Sequence, residues 1–160
     1  ADTLMVEGNL ADTLRQQGKL AEAGPHYRAA MERARAAFGD DARATITYRS
    51  NHAFWLLDAG QVEASLAEQR ACLASSLRVL GRAHPQTAEI LRGMSEAERR
   101  LGQIAAARDH AQQALQMLTG IYGDAEEPLL AARQTLALAA AAEAVPATSS
   151  AETTTAFAQR

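Results

Sequence analysis

An all-α repeat fold, an alpha-alpha superhelix of paired helices, is predicted by three features of this 160-residue chain. The stretch Gly18-Lys-Leu-Ala-Glu-Ala returns as Gly60-Gln-Val-Glu-Ala-Ser and again as Gly102-Gln-Ile-Ala-Ala-Ala, 42 residues apart each time. Two other markers keep the same beat: Phe38-Gly39, Leu80-Gly81 and Tyr122-Gly123, and the threonines Thr3, Thr45 and Thr87. The composition is rich in Ala, Leu, Arg, Glu and Gln, with only 4% aromatic residues, which favours helix over strand. A period of this length marks one supersecondary unit stacked on its copies, an architecture that usually presents a surface.

Each element has a local justification. Residues 2–17 read as the first helix, with Val6, Leu10, Ala11 and Leu14 at helical spacing and Asp2 or Thr3 as N-cap. Gly18 ends it, because a helix C-terminus commonly needs the left-handed conformation that glycine takes without strain. Leu20, Ala23, Tyr27, Ala30, Met31, Ala34 and Phe38 form the second helix up to Gly39, with Pro25 early in it. The next unit repeats the plan: Ile46, Tyr48, Ala53 and Leu56, the stop at Gly60, then Val62, Leu66, Cys72, Leu73, Leu77 and Leu80. In the third, Pro85 opens a helix at a position where its missing donor costs nothing. Leu91, Met94 and Leu101 lead to Gly102, and Ile104, Ala107, Ala111, Ala114, Leu115 and Leu118 follow. The units run about 1–42, 43–84 and 85–126. A seventh helix at about 127–144, with Leu129, Leu130, Leu136 and Leu138, is expected to cap the last unit's exposed apolar face. Residues 145–160, with Pro146-Ala-Thr-Ser-Ser and Thr153-Thr-Thr, read as a flexible low-complexity tail.

Charge and cysteine usage narrow the function classes. A net charge of −3 without clustered Lys and Arg argues against nucleic acid as partner. No apolar run approaches the roughly 20 residues that span a bilayer, so no membrane role is expected. A single cysteine, Cys72, makes no internal disulfide and fits a reducing, cytoplasmic setting. The chain opens at Ala1 with a helical pattern already running, as an excised piece of a longer protein would. His26, His52, His84 and His110 lack ligand spacing, so neither metal nor cofactor is expected. Every glycine is explained by a helix end or close packing, and no nucleophile-and-base motif appears; no catalytic residue and no enzyme activity are predicted.

Small residues recur where paired helices would cross: Ala11, Ala53 and Ser95 on the first helices, and Ala23, Ser65, Ala107 with Ala30, Cys72, Ala114 on the second. Together with the glycine turns, this pattern resembles the tetratricopeptide repeat (TPR). The 42-residue period is similar to the kinesin-light-chain-like variety, as are Asn9-Leu10-Ala11, Gly18 to Ala23, Pro25 and Leu80-Gly81-Arg82-Ala83-His84-Pro85. That resemblance covers residues 1 to about 126. It implies a right-handed superhelix whose first helices line a concave groove that binds a peptide or partner protein, as a scaffold or adaptor. Similar arrays also serve as regulatory or self-assembly segments of larger signalling proteins, such as bacterial kinases and transcription regulators, which makes self-association a second expectation.

Projected onto the first helices, the inward-facing positions of such a groove are Met5, Gly8, Asn9, Asp12, Arg15 and Gln16; then Thr47, Ser50, Asn51, Phe54, Leu57 and Asp58; then Glu89, Arg92, Gly93, Glu96, Arg99 and Arg100. Phe54 and Leu57 offer an apolar anchor on a polar face, flanked by Arg15, Arg92, Arg99 and Arg100. Asn9 and Asn51 sit where related domains hold an extended peptide backbone with a carboxamide, whereas the third unit has Gly93 there. The same residues also read as structure, with Phe54 and Leu57 packed on a neighbouring unit and the arginines paired with Asp58, Glu89 and Glu96 as a solvated face.

Overall fold

Every first helix stops at the same hydrogen-bonded turn. In the computed structural model, which describes residues 2–123 and 125–144, the first helices are α1 (Asp2–Gln16), α3 (Arg43–Asp58) and α5 (Pro85–Arg100). Each leads through a glycine into its partner, α2 (Leu20–Phe38), α4 (Val62–Val79) or α6 (Ile104–Tyr122). Gly18, Gly60 and Gly102 adopt φ of 75°, 78° and 75°. The Gly18 N–H donates to the Arg15 carbonyl at 2.9 Å and the Lys19 N–H to the Leu14 carbonyl at 2.9 Å. The same two bonds recur from Gly60 and Gln61 to Leu57 and Leu56, and from Gly102 and Gln103 to Arg99 and Glu98. Two orphaned carbonyls are satisfied at each turn, at a backbone angle where a Cβ would be strained.

Beyond the turn, the paired helices close at small residues. Ala11 with Ala23, Ala53 with Ser65, and Ser95 with Ala107 are all buried. The Ser65 hydroxyl donates to the Ala53 carbonyl at 2.7 Å, and the Ser95 hydroxyl to the Ala107 carbonyl at 2.7 Å. The third pair thus makes the second pair's bond with donor and acceptor exchanged between its helices.

Successive helices pack on one another from α1 to α7 (Glu126–Ala144), and α3 also meets α5, as α5 meets α7. The core therefore lies between units. Tyr27, Trp55 and Leu56 fill the first joint, and Ile46, Leu57, Leu66, Cys72, Ile90 and Met94 the second. Trp55 lies against Gly24 and donates from Nε1 to the Leu20 carbonyl at 2.8 Å. Burial pushes the Cys72 thiol up to about 12, so it behaves as a small apolar filler. At the far end, Leu129 and Ala132 of α7 pack with Ala88, Leu91, Ala114 and Leu118. Residues 145–160, expected as a tail, lie outside the described residues.

Expected apolar faces are corrected at several positions: Phe38, Leu77, Leu130 and Leu138 are exposed, and so are two residues of α1. Val6 and Leu10, read as part of α1's apolar face, are 63% and 43% exposed. Their counterparts Ile90 and Met94 are buried against Leu66 and Cys72 of the preceding second helix. Among the described residues no helix stands in that place before α1.

Two stability measurements check this packing. Leu129→Ala should lower the unfolding free energy by about 2–5 kcal/mol in denaturant melts, while the same change at exposed Leu130 stays within about 0.5 kcal/mol. Gly24→Ala should cost about 1–3 kcal/mol, because the added methyl would enter the space of the Trp55 ring.

Candidate interaction groove

The first helices leave a cleft of about 700 Å³ on their shared side. Arg15 of α1 borders it, α3 contributes Arg43, Thr47, Ser50, Asn51 and Phe54, and His84 to Gln86 with Glu89 and Arg92 form the facing wall. Leu118 and Tyr122, from the last turn and a half of α6, close one end. The α5 wall is anchored at its start. His84 caps the helix by accepting the Gln86 N–H on Nδ1 at 3.1 Å, and Gln86 Nε2 donates to Thr47 Oγ1 at 2.9 Å.

At the centre, the Arg92 guanidinium lies 5.1 Å from the Phe54 ring centroid. It is aimed there by two hydrogen bonds to Glu89, one of them 2.9 Å from Nε, which also hold its pKa above the ordinary arginine value despite partial burial. Arg15 is paired through Nε with Asp58 at 2.6 Å. Arg43, by contrast, is exposed and makes no ion pair among the described residues.

Of the residues expected at a groove, Arg15, Asn51, Phe54 and Arg92 are brought together in this cleft. Asn9 is exposed on α1, outside its lining. The anchor expected from Phe54 and Leu57 reduces to Phe54, because Leu57 is 3% exposed and packed between α3, α4 and α5. Arg99 and Arg100 also lie outside the lining, and both bind Glu96, at 2.8 and 2.7 Å. Burial would raise the Glu96 carboxyl, yet these hydrogen bonds hold it below the usual carboxylate range. Arg100 additionally donates to the Leu57 carbonyl at 2.8 Å. The pairing anticipated for a solvated face therefore accounts for these arginines. Gly93, in the asparagine position of the third unit, lies under Gln69 and Phe54.

Arg43, His84, Gln86 and Tyr122 escaped the sequence reading, which projected the first helices only from their second turn onward. The signal was the period itself. Second helices of 18 to 19 residues outrun first helices of 15 to 16, so α6 ends beside the start of the α5 wall.

Paired helices, small-residue crossings and a cleft walled by first helices define a helical repeat solenoid. The chain belongs to the tetratricopeptide repeat family, whose model matches residues 2–61 and 45–120. Repeats of this family are generally protein–protein interaction modules. Among solved structures, the kinesin-light-chain TPR-like repeats of Podosopora anserina, described as nearly identical to one another, are similar at a TM-score of 0.81 and 18% identity. That comparison covers 88% of this chain and 67% of the other. BtubC (BKLC) from P. vanneervenii is similar at a TM-score of 0.70 and 14% identity, covering 87% of this chain and 59% of the other. At such identities the likeness is one of fold, and this chain spans about two thirds or less of each relative's length. No curated protein sequence matches.

The helix that carries Asn51 and Phe54 also carries an imidazole into the first joint. His52 is buried against Trp55, with ring centroids 5.6 Å apart, and neither ring nitrogen has a hydrogen-bond partner. Burial lowers its pKa and Arg28 adds to this, while Glu68 and Glu32 oppose it. The unfolded chain therefore takes the proton first, near its ordinary value of about 6.5. Stability is full above that value and is lost as the pH falls toward the depressed folded value. Melts at descending pH should show this loss, and His52→Met, which installs the residue found at position 94, should flatten it.

Proposed function

We propose that this chain is a scaffold or adaptor module whose cleft takes an extended segment of a partner protein. The preferred segment carries an apolar side chain and at least one acidic residue. The carrying observation is that Phe54, half-buried in the cleft wall, and Arg43, a lining guanidinium with no ion pair among the described residues, stand on one wall of the same cleft about three turns of α3 apart. An apolar side chain loses water against the first, and a carboxylate meets the forked donors of the second.

Peptide selection on the whole chain, followed by titration of the best binder, tests the reading. Phe54→Ala should weaken binding about ten-fold at any salt concentration. Arg43→Ala should weaken it chiefly at low salt, since an exposed charge is screened. Arg99→Ala/Arg100→Ala should matter little, because both arginines serve Glu96. Basic selected peptides, or undiminished binding to both the Phe54 and Arg43 variants, would place the ligand surface elsewhere.

A second reading, self-association within a larger regulatory assembly, is favoured by Met5, Val6 and Leu10, a cluster of exposed apolar side chains on α1. If a second copy covers that face, light scattering should show a dimer that Val6→Glu/Leu10→Glu dissolves; a monomer at all concentrations sinks this reading.

A further inference from the structure

Tyr27, Gln69 and Ala111 occupy one position on the three second helices, and Asp12, Phe54 and Glu96 one position on the three first helices. In the first unit, Tyr27 crosses between helices, fully buried, and its hydroxyl donates to Asp12 Oδ1 at 2.6 Å. A side chain sent from that position is thus aimed at the wall from which the groove is built. In the third unit Ala111 is too short to reach it. In the second, the Gln69 carboxamide and the Phe54 ring both come against Gly93 of α5.

The Gln69 side chain is wholly buried, and neither Nε2 nor Oε1 has a hydrogen-bond partner among the described residues. Gly93 makes the room: a Cβ there would overlap the Gln69 carboxamide and come within 3.0 Å of Phe54 Cζ. Three chain segments therefore meet at Gly93, with a buried carboxamide and the half-buried Phe54 ring both against it. An uncompensated buried carboxamide is a standing cost to the fold, and methionine of similar length would avoid it. Phe54 is held by its cation–π contact with Arg92, and Arg92 stays placed by its two bonds to Glu89 when the ring turns.

Resting on the groove reading above, we propose that Gln69 is a concealed backbone-reading residue: an incoming peptide's apolar side chain displaces the Phe54 ring from Gly93, and the Gln69 carboxamide pairs with one residue of the peptide main chain. Nε2–H donates to the peptide carbonyl and Oε1 accepts the peptide N–H, a match that a carboxamide offers and a methionine does not. Binding then recovers the hydrogen bonds that the free fold forgoes.

The test uses the tightest peptide from selection on the whole chain, and a set of its copies each N-methylated at one backbone amide. On the native chain, one N-methyl position beside the apolar anchor should weaken binding about ten-fold, the scale of one lost amide hydrogen bond. Gln69→Met should raise the melting temperature, weaken the parent peptide about ten-fold, and erase the penalty at that N-methyl position. A purely structural Gln69 would not couple to a single peptide amide. A native chain with no sensitive position overturns the proposal without any variant. So does a Gln69→Met chain that melts lower or binds undiminished, and if Phe54→Ala still weakens that peptide, the groove reading survives. Failure to select any peptide removes both.

Discussion

The structure depends on how closely the two helices of a unit cross. Alanine or serine at Ala11/Ala23, Ala53/Ser65 and Ser95/Ala107 lets the backbones approach closely, and in the second and third units a serine hydroxyl on one helix reaches a main-chain carbonyl on the other. Interaxial distances at helix crossings depend on the side chains at the contact, about 8–10 Å in general, and here those side chains are only alanine and serine. All three crossings are buried and built from small residues. Large side chains are then left to fill the joints between units, and what remains on the first helices forms the groove wall.

This explains which features were legible in the sequence. The glycine turns and small-residue crossings limit backbone geometry, which tolerates few substitutes, so they recur in register. Burial is not visible in the same way. Val6 and Leu10 have the right spacing for a covered face, but spacing says nothing of whether another helix stands opposite. Leu57 illustrates a finer limit: three residues advance a helix by about 300°, so it is turned some 60° from Phe54. That rotation is enough to carry Leu57 from the groove side into the seam with α4 and α5. Gln69 was invisible for a related reason, since a polar residue on a second helix reads as surface until its direction is known.

The charged residues of the first helices mostly hold the wall together. Arg15 links α1 to α3 through Asp58, and Arg100 ties α5 back to α3 through the Leu57 carbonyl. Deeper in, the buried Glu98 carboxylate is met by His110 at 2.7 Å and Arg70 at 3.6 Å, as a carboxylate removed from water requires. Among the described residues, the groove arginines Arg15 and Arg92 are thereby spent on geometry and Arg43 is not.

The bare face of α1 has a dynamic consequence. In a one-dimensional array each unit is stabilised by its neighbours on both sides, and among the described residues the first unit, with Val6 and Leu10 exposed, is packed on one side only. While that side stays uncovered, its amides belong at the low end of the exchange-protection scale, and opening should travel as a front from α1 toward α3. The two edges of the groove would then differ in lifetime, the Arg15 edge frayed at moments when the Phe54 centre is still folded.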